Sequence, residues 1–529
     1  MKRSLLALVL LIVAVAATAQ SNIYSAWSNF PQDPTFFPLA VWLQGPTGTP
    51  GFVGGYPDVA MAMKAAKMNV LLGLDGGNGG FGWPSAFGTD CGAYGICGEF
   101  KLLVNNGLYV IPTVHLNPDG TGVPPTNTTA ANTIASVLSL AGCPSGPNCK
   151  YVIGWNLGDE PHCSDSTNYS VQGPAATYLP ALVPALQADQ DSTRPYLENF
   201  LDFVFGHGTC WPPTSATNTA ALQAISIGSA DTYPLNSAYN TASNIPFVTG
   251  QTQDAMWING WITAQMVARG RSGQPIWMYV DTGDNEYGNA LGGGSACSES
   301  TNLCTPDNHE YRTPPEQVNA DVWNVIINGA MGIEWFCHDL NGTQVANSFC
   351  LGATNSGEGS IAQSVANNIT YVNGAVLNFA PQLNSPVLAR CTMQHGPNAS
   401  YNVAQYTDYY TSCSNGILTM STGTPTVPGS AIIKNYNGTL YLFADSDRNG
   451  SALMTFTLSG YGGATATVVY DSNAQYDPAH SSMGATFPLN SNGQFSDQFG
   501  ANGHNYEPKI YKITRGGPLA PTGLTATVQ

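Results

Sequence analysis

The chain runs to 529 residues with a formal net charge of -17, and only 9% of its residues are charged. So acid-biased and charge-poor a surface argues against nucleic acid as a partner, because the phosphates would be repelled. The length suffices for one large domain and a smaller one.

Residues 1–19 read as a secretory signal peptide: Lys2-Arg3, an apolar run from Leu5 to Ala16, then the small-x-small site Ala17-Thr18-Ala19. The run is too short to span a bilayer comfortably, and no later segment is apolar enough to do so. The expectation is a secreted chain, extracellular or periplasmic, starting near Gln20 and without membrane association. Twelve cysteines fit an oxidising compartment. Closeness in sequence suggests Cys91 with Cys97, Cys143 with Cys149, Cys297 with Cys304, Cys337 with Cys350 and Cys391 with Cys413, leaving Cys163 and Cys210 to each other. No cysteine pair has CxxC spacing and no HExxH is present, so neither a metal nor another cofactor is expected.

From Phe36 to about Ala380, short apolar runs alternate with helical patterns, the signature of βα units and a parallel sheet. Eight strands are predicted: Leu39–Leu43, Val70–Leu74, Tyr109–Val114, Tyr151–Trp155, Tyr196–Phe200, Ala224–Ile227, Ile276–Val280 and Gly332–Phe336. Helical patterns lie between them, as at Val59–Lys67, Phe100–Asn105 and Ala130–Leu140. Thr313-Pro-Pro-Glu is a helix start, with Thr313 as cap, Pro314 first and Glu316 closing a capping box. Eight such units over residues 20–386 make a (β/α)8 TIM barrel, an α/β fold whose chemistry sits at the C-terminal ends of the strands.

Those ends carry acids and aromatics repeatedly. Strand 1 leads to Trp42 and Gln44, strand 2 to Asp75 and strand 3 to His115. Strand 4 leads to Asp159 and Glu160, strand 5 to Glu198, Asn199 and Asp202, and strand 6 to Asp231-Thr-Tyr233-Pro. Strand 7 leads to Asp281, Asp284 and Glu286, and strand 8 to Trp335, His338 and Asp339. Any single case reads equally well as a helix cap or, for Trp335, as a core aromatic. Repetition around the rim favours a site for a neutral, hydroxyl-rich polymer, bound by amides and aromatic faces and acted on by carboxyls. Glu334 alternates with Ile333 and Trp335 and is expected to point away from the mouth.

After a helix over Ile361–Phe379 the texture changes. Alternating, turn-rich segments such as Ala431–Lys434, Thr439–Ala444, Met454–Leu458, Ala466–Tyr470 and Pro508–Ile513, with Asn-Gly turns at 437–438 and 449–450, predict a small antiparallel β-sandwich over 387–515. Residues 516–529 read as a linker and the opening of a truncated fibronectin type III-like segment, so further modules C-terminal to it are expected.

The barrel segments resemble (β/α)8 glycoside hydrolases of clan A type, and are similar to bacterial secreted glycosidases with a C-terminal β-sandwich. The matching motifs are Gly154-Trp155-Asn-Leu-Gly-Asp-Glu-Pro161, Arg194-Pro195 with Asn199-Phe200, Asp231-Thr-Tyr-Pro234, Pro275-Ile-Trp-Met-Tyr-Val-Asp-Thr282, Gly329–Phe336 and Leu377–Pro386. The resemblance implies cleavage of O-glycosidic bonds in a neutral poly- or oligosaccharide by a two-carboxylate, retaining mechanism. Glu160 takes the acid/base role and Asp281 the nucleophile's. Asp159, Trp42, His115, Asn199, Tyr233, Trp335 and His338 fall at substrate-binding positions. Asp281 stands where the pattern has glutamate, one methylene longer. That leaves Asp284 and Glu286 as rival partners, an inverting outcome open, and a non-catalytic glycan-binding barrel as the alternative.

Overall fold

The computed structural model describes residues 22–42, 59–72, 99–114, 127–159, 175–201, 216–231, 257–281, 315–336, 359–393, 410–448, 450–500 and 506–515. Eight parallel strands form one sheet, in the order β3-β2-β1-β8-β7-β6-β5-β4. They are β1 (Leu39–Trp42), β2 (Val70–Leu72), β3 (Tyr109–Ile111), β4 (Trp155–Asp159), β5 (Tyr196–Leu201), β6 (Ile227–Asp231), β7 (Ile276–Asp281) and β8 (Gly332–Phe336). The ring closes between β3 and β4 through the bridges Val110↔Val152 and Thr113↔Asn156. Backbone bonds from Ile153 to Val110 (3.0 Å) and from Val114 to Asn156 (2.7 Å) hold that seam. Each strand is followed by a helix: α1 (Val59–Ala65), α2 (Glu99–Asn105), α3 (Asn127–Leu140), α4 (Ala175–Asp189), α5 (Ala216–Ala224), α6 (Trp257–Arg269), α7 (Pro315–Asn328) and α8 (Gly359–Asn378). The (β/α)8 barrel is therefore present as expected. None of the described helices is long and apolar enough to cross a membrane.

Two predicted strands are displaced. The fourth was expected at Tyr151–Trp155, but Cys149–Tyr151 forms a 3-10 turn and β4 begins only at Trp155. The sixth was expected at Ala224–Ile227, but Ala224 ends α5 and the strand runs to Asp231. In both cases the missed residues are polar (Asn156, Ser229, Asp231) and buried inside the barrel, so an apolar-run reading stops short of them. α7 starts at Pro315, one residue later than the predicted Pro314. The disulfides Cys143–Cys149 and Cys391–Cys413 are formed. The other predicted pairs, the signal peptide and residues 516–529 lie outside the described residues.

The N-terminal end of the barrel is plugged by the segment before β1. Tyr24 stacks on Phe30 with centroids 4.1 Å apart, and Phe30 meets Trp277 edge-on at 6.4 Å. Trp277 Nε1 donates to the Tyr24 hydroxyl (2.9 Å), which donates to the Met331 carbonyl (2.7 Å). Burial pushes the Tyr24 phenol far above its ordinary range.

A second unit follows the short helix α9 (Ala380–Leu383). A four-stranded sheet, β10-β11-β14-β17, faces a six-stranded one, β16-β15-β18-β13-β12-β9, all antiparallel pairs. Here β9 is Val387–Thr392, β10 Ser412–Asn415, β11 Leu418–Thr422, β12 Gly429–Tyr436, β13 Thr439–Ser446, β14 Ala452–Leu458, β15 Ala464–Asp471, β16 Thr486–Pro488, β17 Gln494–Phe499 and β18 Lys509–Arg515. The hairpin between β12 and β13 turns on Asn437 and Gly438, with φ of 51° and 79°. Two positive φ values are what a two-residue primed turn demands, and Asn-Gly supplies them at least cost.

Barrel and sandwich share one packed junction built on α7. Trp323 lies against Phe443 (6.2 Å) and Tyr470 (5.1 Å), and its Nε1 donates to the Tyr470 hydroxyl at 3.0 Å. Asn324 Nδ2 donates to both Asp445 (2.8 Å) and Asp447 (2.9 Å) at the end of β13. Burial raises both carboxyls and their mutual repulsion raises Asp445 further; Asp447 reaches about 7. The sign follows from proton counting. Between the unfolded carboxyl value and about 7 the folded state binds more protons than the unfolded chain, so this pair's stabilisation is full at low pH and is lost as pH rises. Replacing Asp447 by Asn removes that titration. Urea unfolding at pH 4 and pH 7 should show the Asp447→Asn protein gaining about 1–3 kcal/mol on wild type across the interval. Parallel pH dependences in the two proteins would refute it.

Candidate active site

Alternation in the strands assigns one face to the lumen and the other to the helices. The lumen positions change character along the barrel axis. Toward the N-terminal end stand Ala40, Val70, Ile111, Ile153, Leu197, Ile227 and Trp277, which form one buried apolar cluster with Tyr24 and Phe30. One alternation step further come Trp42, Leu72, Thr113, Asn199, Ser229, Tyr279 and Glu334, with Asn156 on β4 and Asp231 one step beyond Ser229, all at most 4% exposed. TIM-barrel interiors are ordinarily filled by branched apolar side chains. Here Trp42 and Leu72 share the layer nearest the C-terminal mouth with a group of buried polar side chains.

Asn156 Nδ2 donates to Thr113 Oγ1 at 3.0 Å, tying β4 to β3 at the seam. On the far side Ser229 Oγ, from β6, lies 3.5 Å from Asn199 Oδ1 and hydrogen-bonds Glu334 Oε2 from β8. Trp42 packs edge-to-face on Tyr279, centroids 6.3 Å apart, and its Nε1 has no hydrogen-bond partner among the described residues.

The Gly158-Asp159 stretch is a β-bulge. Asn156 pairs with Leu197 and Asp159 with Asn199, so Leu157 and Gly158 together oppose Glu198. A β-carbon on Gly158 would sit 3.2 Å from Glu198 Oε1, a tight contact that the carboxyl would relieve by shifting a few tenths of an ångström. Bulges of this type re-aim a strand end and are frequent beside active sites. The bulge brings Asp159 into register with Asn199 at the mouth, as the last residue of β4. Asp281 likewise ends β7, in register with Phe336 of β8. Both are described through their backbone; Glu160, His115, Tyr233, His338, Asp284 and Glu286 lie outside the described residues.

Trp335 does not line the mouth. It is fully buried on the helix side of β8, where Nε1 donates to Asn373 Oδ1 (3.1 Å), and Asn373 Nδ2 donates to the Ala66 carbonyl (2.8 Å). Of its two readings, core aromatic and platform, the structure takes the first. Consequently Glu334, expected to point away, faces the lumen. The phase of β8 is set by Gly332, whose missing side chain makes room for the Trp277 ring, 2.7 Å from where a β-carbon would stand. Two residues on, Glu334 shares that inward face. Ser229 and Glu334 were thus missed, because the contact of Gly332 with Trp277 that sets the phase of β8 is long-range.

No protein-family model matches this chain, and no curated protein matches it. Solved structures match over nearly its full length. Gan42B, a GH42 β-galactosidase, is 9% identical with a TM-score of 0.50, covering 94% of this chain and 100% of that one. A protein described as a glycoside hydrolase is 11% identical, with a TM-score of 0.48 and coverage of 92% and 94%. The catalytic domain of GH30 xylanase C from Talaromyces cellulolyticus is 13% identical, with a TM-score of 0.42 and coverage of 90% and 96%. At such identities the likeness is one of fold: a (β/α)8 barrel followed by a β-sandwich.

The outward position of Trp335 has a measurable consequence. Trp335→Phe keeps a ring but strands the Asn373 oxygen, so denaturant unfolding should show a loss of about 1–3 kcal/mol, with substrate KM unchanged. A raised KM at unaltered stability would contradict the outward placement.

Proposed function

We propose that the chain is a secreted glycoside hydrolase acting on a neutral poly- or oligosaccharide. The observation that carries this reading is the group of buried polar side chains beneath the mouth, where Asn199, Ser229, Tyr279 and Glu334 replace part of the usual apolar filling. Burying such residues costs stability unless each is hydrogen-bonded, so a polar layer in that place favours a functional role over a packing one. The scarcity of charge on the chain suits neutral hydroxyl-bearing ligands, bound by amides and aromatic rings.

Strand spacing supports the assignment of the carboxyl pair. β4 and β7 stand three places apart on the ring, about 14 Å across for strands ~4.8 Å apart and tilted by ~36°. Asp and Glu side chains extend roughly 3.5 and 5 Å from their α-carbons. Acids presented from those two strand ends can face each other across the mouth, as a two-carboxylate mechanism requires.

Glu160 gives its proton to the leaving glycosidic oxygen while Asp281 attacks the anomeric carbon from the opposite face. The C–O bond to the leaving sugar breaks as the bond to Asp281 forms. Glu160, now ionised, then takes a proton from water, whose oxygen displaces Asp281 and restores both carboxyls. Tyr233 orients Asp281. Asp159 accepts from, and Asn199 exchanges hydrogen bonds with, sugar hydroxyls, as do His115 and His338. Trp42 supplies a lumen wall and an indole N–H.

Glu160→Gln keeps the shape of the acid but cannot donate its proton. On a panel of neutral polysaccharides, kcat for the substrate that wild type cleaves should fall by about 10²–10⁴, with KM little changed. Equal turnover by both proteins would sink the assignment of Glu160. Tight binding without turnover by wild type would favour the non-catalytic glycan-binding barrel that Asp281, in place of glutamate, keeps open.

A further inference from the structure

We infer that the Cys143–Cys149 bridge is a site of thiol exchange, at which a small thiolate attacks Cys143 and Cys149 leaves as a thiolate held by Arg194. The bridge is asymmetric. Cys149 is buried at the start of the 3-10 turn that leads into β4, whereas Cys143 is partly exposed, beside the exposed Gly142, Pro144 and Ser145. Arg194, itself buried, brings Nη2 to 3.0 Å from Cys149 Sγ and 3.6 Å from Cys143 Sγ. That nitrogen carries two hydrogens. One goes to the Cys149 carbonyl at 3.1 Å, and the other is left for sulfur. A neutral disulfide sulfur is a weak acceptor and gains little from a guanidinium. A thiolate in the same place gains a charge-assisted hydrogen bond. Arg194 thus favours a state of Cys149 that the closed bridge does not have.

The rate of exchange depends on which sulfur is accessible and on how stable the leaving thiolate is. With Cys143 toward solvent and Cys149 inside, both conditions select attack on Cys143. A new S–S bond forms between the reagent and Cys143 as the Cys143–Cys149 bond breaks, and the electron pair of the broken bond passes to Cys149 Sγ. The reagent sulfur is oxidised and Cys149 is reduced, so the step needs no other oxidant. Asp191 Oδ2 accepts from Arg194 Nη1 at 2.8 Å and offsets part of the guanidinium charge. Opening the bridge leaves Arg194 on the Val152 and Cys149 carbonyls, so the entry to β4 stays tied to the start of β5. The second bridge is a control within the same chain. Cys391 is buried and Cys413 partly exposed, as in the first, but among the described residues no side chain hydrogen-bonds either sulfur.

Incubating the folded, full-length protein with glutathione, trapping free thiols with N-ethylmaleimide and mapping the adducts by peptide mass spectrometry tests this. The glutathione adduct should appear on Cys143, with Cys149 free. Its rate should exceed that at Cys391–Cys413 about tenfold, the worth of one hydrogen bond to a charged group. Both rates follow the ionised fraction of glutathione, so their ratio should hold steady between pH 6 and pH 8. Arg194→Gln keeps donors but loses the charge and should bring the ratio near one. Arg194→Lys keeps the charge and should retain most of it. An adduct on Cys149, equal rates at the two bridges of wild type, or an unchanged ratio in Arg194→Gln would each overturn the assignment. If Arg194→Gln does not fold, the adduct map and the wild-type ratio decide. No turnover is measured, so the outcome is independent of the glycosidase reading.

Discussion

A closed eight-stranded barrel has no edge and only two ends, so every inward side chain must be packed, paired or presented at a mouth. That constraint organises this molecule. At the N-terminal end the segment holding Tyr24 and Phe30 folds under the strands, and Trp277 bonds to Tyr24 rather than meeting water. With that end sealed and apolar, the polar positions higher on the strands can face only the C-terminal mouth or one another. Asn156 pairs with Thr113 across the seam, and Ser229 hydrogen-bonds Glu334. Among the described residues, the inward polar side chains thus gather toward the C-terminal ends of the strands.

Holding polar groups inside a barrel costs stability unless each is hydrogen-bonded, and the surrounding structure is correspondingly firm. Around the N-terminal end of β5, Arg194 bonds Asp191 at 2.8 Å and the Val152 and Cys149 carbonyls, while Trp155 Nε1 donates to Asp191 as well. This fixes the chain leading into β4 just before its bulge. On the opposite flank, the sandwich clamps α7, the helix that joins β7 to β8. Trp323 inserts among Phe379, Phe443 and Tyr470, and Lys434 Nζ caps the Leu383 carbonyl at 2.7 Å, its ammonium pushed down to about 7 by burial. The strands that end in Asp281 and carry Glu334 are therefore braced from outside by the β-domain.

Architecture was legible from the sequence because it depends on repetition: eight apolar runs with helices between them, then alternation with Asn-Gly turns. The strand limits were less legible where polar residues or glycine continue a strand. β4 and β6 continue through Asn156, Gly158, Ser229 and Asp231, residues that interrupt an apolar run and so resemble a turn. Facing was the hardest property to read. Period-two alternation in β8 was visible, but its phase was not, because a tryptophan beside a mouth serves a sugar platform or a helix interface equally well. The packing of Gly332 on Trp277 settles it, and that contact joins residues 55 positions apart, beyond any local pattern.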